Sequence, residues 1–157
     1  MNFPYCPVIW IDPSTGELDY TMRPELQLIV HGPRESVVYS ALVDTGADDV
    51  VLPCSIGRYI GIHLDRSPHN GRAFGGASLD FFSSEVELEI RADGQSLRWT
   101  TEVQFLEFNS EDDETLVLGH RGFLNFFTAV FDGDQARLTL NPNARFPIGN
   151  PTVSTDS

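Results

Sequence analysis

One short motif in the chain has the residue types and the spacing to do chemistry. An apolar run at residues 41–43 leads into Asp44, Thr45 and Gly46, and a second apolar run follows at residues 50–52. An acidic residue between two apolar strands is held at a buried or half-buried turn, where glycine allows close backbone approach and the threonine hydroxyl can tie the turn down. The same tripeptide also fits a surface turn in a β-hairpin, so both interpretations stay open at this level.

Two other groups of residues have the types that bind ions. His63, Asp65 and His69 could ligate a metal, but their spacing fits no familiar ligand pattern. The acidic run at residues 107–114 lacks the alternating oxygen ligands and the fixed glycine of a calcium loop. For both groups a solvated loop is the favoured interpretation, and no metal site is expected.

Short strands separated by turn residues must position the Asp44 motif. Alternation is clearest at residues 84–90, where Val86, Leu88 and Ile90 are predicted to share a buried face. Further strands are expected at residues 26–30, 37–43, 50–53, 97–99, 103–105, 116–118, 130–131 and 138–140. This spacing predicts an all-β domain, a barrel or a sandwich.

The remaining segments are expected to be short helices or irregular. Ser55 is predicted to cap a short helix that ends at Gly61, and residues 123–127 crowd a second helical segment. Residues 1–22 are expected to be irregular, because prolines and a glycine interrupt any period there. Trp10 and Trp99 are expected to pack in the core or in an interface.

Composition limits the classes of partner. The 157 residues predict one domain, and 10 Lys plus Arg against 23 Asp plus Glu give a net charge of −13. Proteins bind nucleic acids and anionic membranes by neutralising phosphate charges with Lys and Arg, so neither is expected as a partner. Neutral or basic peptides fit this charge better.

Cysteine usage and the N-terminus bear on the compartment. Cys6 and Cys54 form no disulfide framework, and the first residues lack a basic segment followed by an apolar stretch. No apolar run is long enough to span a bilayer. The sequence therefore predicts a cytoplasmic protein with reduced thiols.

With its flanks, the Asp44 motif closely resembles the active-site motif of the retroviral-type, or retropepsin-like, aspartic proteases. Residues 71–76 resemble the glycine-rich flap of that family, and residues 84–90 fall where the strand leaving the flap is found. Residues 116–124 resemble its apolar-Leu-Gly motif and the short helix behind the active site. The resemblance covers about residues 23–140 and implies a single-domain, non-viral member with a retropepsin-like barrel. It leaves 1–22 as an N-terminal extension and 141–157 as a C-terminal tail.

The resemblance implies roles for the matching residues. Asp44 would be the catalytic carboxylate, Thr45 would lock two loops across a dimer axis, and Gly46 would accept hydrogen bonds from the substrate backbone. The extended peptide would be bound by Ala47 and Asp48 and, in the flap, by Phe74, Gly75 and Gly76. The family's chemistry needs no cofactor.

This chemistry needs two carboxylates that share a proton around one water molecule. The chain has a single Asp-Thr-Gly, and its Asp-Gly pairs at residues 93–94 and 132–133 are typical of hairpin turns. The second carboxylate must come from another copy, so the resemblance predicts an aspartic endopeptidase that forms a C2 homodimer and pairs Asp44 with Asp44 of its mate.

One departure from the family pattern affects the support of the site. Many members have an arginine after the Leu-Gly, which pairs with the second aspartate of the motif. Here Gly119 is followed by His120 and then Arg121, and either side chain is expected to reach Asp48. This departure leaves open an alternative function, a catalytically silent dimer of the same fold that binds peptides or regulates.

Overall fold

The strands of the chain form three β-sheets in the computed structural model, which describes residues 1–64, 69–72, 78–108 and 115–147, without the side chains of 69–72 and 78–80. In chain order the strands are β1 (Asn2–Pro4), β2 (Cys6–Ile11), β3 (Leu18–Arg23), β4 (Glu25–His31), β5 (Ser36–Val43), β6 (Val50–Pro53), β7 (His69–Arg72), β8 (Ser78–Ala92), β9 (Gln95–Leu106), β10 (Leu116–Leu118), β11 (Phe127–Asp132) and β12 (Arg137–Pro142). The helical elements of the described residues are α1 (Cys54–Tyr59) and a 3₁₀ helix (Leu124–Phe126). The predicted all-β class with short helices is confirmed.

The largest sheet closes into a barrel. Its order is β4-β5-β10-β6-β9-β8-β7, and β4 also pairs with β8, so the first six strands form a ring. The β8–β9 hairpin is the longest pairing, and its turn places Asp93 and Gly94 at φ values of +54° and +70°. Two consecutive positive φ values are the geometry of a type I′ turn, whose twist matches that of the flanking strands.

Alternating side chains fill the barrel. Val86, Leu88 and Ile90 are buried on one face of β8, which confirms the alternation read from the sequence. At one end of the barrel Trp99 packs against Phe123 and Phe127, and its Nε1–H donates to the Gly122 carbonyl at 3.0 Å. Burying aromatic side chains removes the largest apolar areas from water, and the hydrogen bond satisfies the indole N–H. Trp99 is therefore a core residue, as expected.

A buried carboxylate lies on the outer face of β8, where alternation predicts solvent. Glu89 is only 4% exposed. Arg91 Nε and Ser96 Oγ donate to its Oε1, and His31 Nε2 lies 2.9 Å from its Oε2. Burial raises the pKa of Glu89, but these hydrogen bonds outweigh it and lower that pKa to about 2. The ionised form of Glu89 is thus built into the folded state.

The N-terminal segment is not irregular, so that expectation was wrong. Strand β1 pairs with β12, which in turn pairs with β11, in a three-stranded sheet, and Met1 and Phe3 are buried in the core. Strands β2 and β3 then form a separate two-stranded ribbon. Both strands of a two-stranded ribbon are edge strands, which is where a sheet tolerates proline.

The short helix α1 is confirmed, but its cap differs from the prediction. Pro53 occupies the N-cap position, and no side chain caps the helix. The Ser55 hydroxyl is buried and has no hydrogen-bond partner among the described residues. Gly61 follows the helix at φ +83°, a conformation that favours glycine and ends the helix as expected.

No helix in the described ranges is both long enough and apolar enough to cross a membrane.

Candidate active site

The Asp44 motif lies where two parallel strands end side by side. Strand β10 pairs with β5 in parallel, with Leu118 opposite Val43. Parallel pairing brings the carboxyl ends of both strands to the same edge, so Asp44 and Gly119 begin neighbouring loops. Strand β6 pairs with the other side of β10, and the loop from Asp44 to Asp49 therefore crosses over the end of β10.

Backbone hydrogen bonds fasten this loop to the segment after β10. The N–H of Asp44 donates to the Leu118 carbonyl at 3.1 Å, and the N–H of Gly119 donates to the Asp49 carbonyl at 3.1 Å. The next two amides, of residues 120 and 121, donate to the carbonyls of residues 47 and 48 at 3.0 and 2.7 Å. The position of Asp44 is thus set by main-chain pairing and depends little on loop side chains.

Gly119 sits under the loop with no room for a side chain. A Cβ at this position would lie 2.3 Å from the Asp49 carbonyl oxygen and 2.6 Å from the Ala47 carbonyl oxygen. Both atoms belong to the backbone of the Asp44 loop, so any larger residue must push that loop away. This close approach is the structural reason for the glycine in the Leu-Gly motif.

The Asp44 carboxylate is oriented by its own loop. Its Oδ1 accepts a hydrogen bond from the Gly46 N–H at 2.8 Å, and the residue is half-buried. Its Oδ2 accepts no hydrogen bond from the part of the chain that the structure describes. A carboxylate with one oxygen fixed and the other open can take up a proton or bind a water molecule.

Two side chains beyond Gly119 brace the loop, in a pairing that differs from the expectation. The Arg121 guanidinium forms a bidentate ion pair with Asp49, at 2.6 and 2.7 Å, instead of reaching Asp48. The bidentate contact raises the pKa of Arg121. His120 does not reach Asp48 either, since its Nε2 lies 3.0 Å from the Thr45 carbonyl oxygen.

The reason for the different pairing lies in the backbone. Asp49 and Arg121 form a parallel bridge, which aligns their side chains, whereas Asp48 bonds Arg121 only through its main-chain carbonyl. A run of two aspartates after Ala47 gives no sequence signal for which one faces the arginine. Only the register of this bridge decides it.

The other predicted site residues divide into two sets. Thr45, Gly46 and Asp48 are exposed on the loop, and Ala47 is half-buried. The predicted flap residues Phe74, Gly75 and Gly76 lie outside the described residues. They fall within the segment that joins β7 to β8, strands that pair in antiparallel fashion up to Arg72 opposite Ser78.

A separate cleft lies away from this loop. Its volume is about 400 Å³, and it is lined by the β4–β5 turn, the segment after α1 and the outer faces of β8 and β9, including His31, Ser36, His63 and Arg98. None of its lining residues belongs to the Asp44 loop. The described residues hold no cluster of three His, Cys, Asp or Glu side chains placed to bind a metal.

Comparison of the fold with solved structures gives consistent neighbours. The chain is similar to a retropepsin-like aspartic protease from Rickettsia conorii, with a TM-score of 0.50 and 15% identity over 85% of this chain and 97% of that chain. The chain has the retropepsin-like fold.

Two further structures are similar at lower scores. They are EIAV protease in complex with an inhibitor (TM-score 0.41, 20% identity, 62% of this chain and 82% of that chain) and the retroviral protease-like domain of Ddi1 from Leishmania major (TM-score 0.43, 15% identity, 77% of this chain and 97% of that chain). No protein-family model and no curated protein sequence matches the chain. The retropepsin-like assignment thus rests on the fold, which agrees with the resemblance of the Asp44 motif.

Proposed function

We propose that the chain is an aspartic endopeptidase whose catalytic dyad consists of Asp44 from each of two copies. The proposal rests on the position of the Asp44 carboxylate. One of its oxygens accepts a hydrogen bond from the Gly46 N–H, and main-chain hydrogen bonds join its loop to the segment that begins at Gly119. A loop fixed by main-chain bonds is the rigid support that a proton-transferring carboxylate needs. One copy supplies one such carboxylate, so the mechanism requires the homodimer.

In the proposed reaction the two carboxylates share one proton around a water molecule. Two carboxyl groups about 3 Å apart cannot both be ionised, an effect for which aspartic proteases are the standard example. The ionised Asp44 takes a proton from the water, whose oxygen attacks the peptide carbonyl carbon, while the protonated Asp44 donates to the carbonyl oxygen. As the C–N bond breaks, the Asp44 that took the proton from water donates it to the amine nitrogen, and the other Asp44 takes a proton from a hydroxyl of the tetrahedral intermediate. This leaves the new carboxyl group, the amine and one proton shared by the two carboxylates. No covalent intermediate, metal or cofactor enters the scheme.

The same proposal assigns the substrate contacts. An extended peptide would lie along the loop, with the Gly46 carbonyl accepting backbone hydrogen bonds and Ala47 and Asp48 flanking the chain. Residues Phe74, Gly75 and Gly76 would form the flap that closes over the peptide and excludes water. The net charge of −13 favours neutral or basic peptides.

The proposed location is the cytoplasm. Cys6 and Cys54 form no disulfide with each other, and a reducing compartment keeps cysteines in the thiol state.

The test is cleavage of a diverse peptide mixture at several pH values between about 4 and 7.5, the range in which a carboxylate pair sharing a proton works. Mass spectrometry reads the new termini. Asp44→Asn should abolish cleavage, whereas Asp93→Asn, which makes the same change at an Asp-Gly turn far along the chain, should retain it. If the native chain is dimeric but cleaves no peptide, the result would contradict the endopeptidase proposal and favour the peptide-binding alternative.

A further inference from the structure

The β2–β3 ribbon has one wholly apolar face. Cross-strand partners lie on the same face of a sheet, and the register pairs Pro7 with Met22, Ile9 with Tyr20 and Ile11 with Leu18. We call these six residues the ribbon face. The opposite face is mixed, since it carries Asp19, Thr21 and Arg23 beside Cys6, Val8 and Trp10.

The ribbon face is open to solvent in the single chain. Leu18 is 75% exposed, Ile9 67%, and Ile11 and Tyr20 both 64%. An isolated two-stranded ribbon is marginal in water, and a contiguous apolar surface of this kind marks an interaction site. The ribbon therefore needs something to cover it.

The segments outside the described ranges are poor candidates for that cover. Residues 65–68, 73–77, 109–114 and 148–157 contain only three large apolar side chains, those of Phe74, Ile148 and Val153. The acidic segment 109–114 contains none. The chain does not hold enough apolar surface in these segments to bury the six-residue ribbon face.

The base of the ribbon lies next to the strand that delivers Asp44. The Val43 N–H donates to the carbonyl of Pro24, the residue directly after β3, at 2.9 Å. At the other strand of the ribbon, the Cys6 thiol donates to the Glu25 carbonyl at 3.6 Å. The six-residue strands extend about 20 Å from this point. The ribbon therefore begins beside the end of the strand that leads directly into Asp44.

We propose that the ribbon face packs against a second copy of this chain and forms part of the homodimer interface. The inference rests on the proposed function, because the Asp44 site is incomplete without a second carboxylate. An isologous dimer presents the same patch from both copies, so each ribbon gains cover when the two sites meet.

Charge supports this choice of partner. Each copy carries a net charge of −13, and two such surfaces repel each other wherever their carboxylates meet. The ribbon face has no Asp, Glu, Lys, Arg or His side chain. It therefore offers two like-charged copies an area of contact that buries no carboxylate.

The test compares Ile9→Glu with Thr21→Glu by sedimentation velocity over a range of protein concentrations. Both variants add one negative charge to the ribbon, the first on the ribbon face and the second on the opposite face. Ile9→Glu should raise the dimer dissociation constant at least tenfold, since it places an unpaired carboxylate in an apolar contact. Thr21→Glu should leave it within threefold of native.

Hydrogen exchange of the native chain supplies a readout without any variant. Peptides that cover residues 6–11 and 18–23 should exchange more slowly at high protein concentration, where the dimer forms, than at low concentration. This measurement also answers the case in which Ile9→Glu fails to fold.

When the peptide-cleavage assay is run beside these measurements, the results distinguish a failure of the ribbon proposal from a failure of the endopeptidase proposal. The ribbon proposal is overturned, and the endopeptidase proposal stands, if the native chain dimerises and cleaves peptides while Ile9→Glu dimerises equally well. In that case hydrogen exchange of the ribbon would also be independent of protein concentration. A native chain that stays monomeric and inactive at every concentration overturns both.

Discussion

Gly119→Ala is expected to displace the Asp44 loop without unfolding the barrel. The new Cβ would lie 2.3 Å from the Asp49 carbonyl oxygen, whereas real Cβ contacts essentially never fall below 3.0 Å. Backbone on one or both sides must therefore move by at least about 0.7 Å. Misplacement by about 1 Å in a catalytic geometry costs on the order of 100-fold in rate. We expect kcat/KM to fall by roughly that factor on a peptide found in the cleavage assay.

The same substitution has a readout that needs no substrate. Overpacking of a filled site costs about 1–3 kcal/mol, and each kcal/mol lowers Tm by about 2–4 °C in a chain of this size. Gly119→Ala should therefore melt about 2–12 °C below the native chain in a calorimetric or circular-dichroism scan.

Gly133→Ala is the matched control, because a Cβ at that turn position meets no atom within 4 Å. Its stability should stay within about 0.5 kcal/mol of native. If Gly119→Ala instead keeps native Tm and kcat/KM, close packing of Gly119 does not hold the loop, and our account of how Asp44 is positioned is wrong.

Three further predictions concern charge. The pKa of Glu89 is about 2 against an ordinary 4.5, so the stabilisation by its carboxylate is complete well above pH 4.5 and is lost as pH falls towards 2. Glu89→Gln should lower the free energy of unfolding by about 3 kcal/mol at neutral pH. Urea unfolding at several pH values should also show that the stability of the variant falls less steeply below pH 4.5. An equally steep acid limb in the variant would contradict this assignment. Arg121→Gln and Asp49→Asn should each cost at most about 1 kcal/mol, because the Arg121 side of the pair is largely solvent-exposed, and their costs should overlap in the double variant instead of adding. Raising the salt concentration from about 0.01 to 0.1 M should tighten a dimer of like-charged copies, as seen by sedimentation, because the Debye length falls from about 30 to 10 Å; weaker association would refute it.

Much of the barrel could be predicted because its sequence is locally consistent. Alternation at residues 84–90 and the Asp-Gly turn at residues 93–94 specify a long hairpin, and both are present. Closure could not be predicted in this way. It depends on the pairing of Leu28 with Ile90, two residues whose contact leaves no trace in local periodicity.

The misses have physical causes of the same kind. Prolines in residues 1–22 indicated irregular chain, but both strands of a two-stranded ribbon are edge strands, where proline is tolerated. The burial of Glu89 also has no local signal in the sequence, because it lies on the face of β8 opposite Leu88 and is enclosed by His31, Arg91 and Ser96. The Arg121–Asp49 pair likewise follows from a register that the motif does not encode.

The central claim is that one dyad is built from Asp44 of two copies, and a mixing experiment tests it directly. Native and Asp44→Asn chains are combined in equal amounts at fixed total concentration and left to exchange subunits before peptide cleavage is measured. If both positions of the dimer must carry Asp44, about a quarter of the native activity remains, because only the native–native pairs are active. Retention of about half would mean that each chain cleaves on its own, which would contradict the shared dyad.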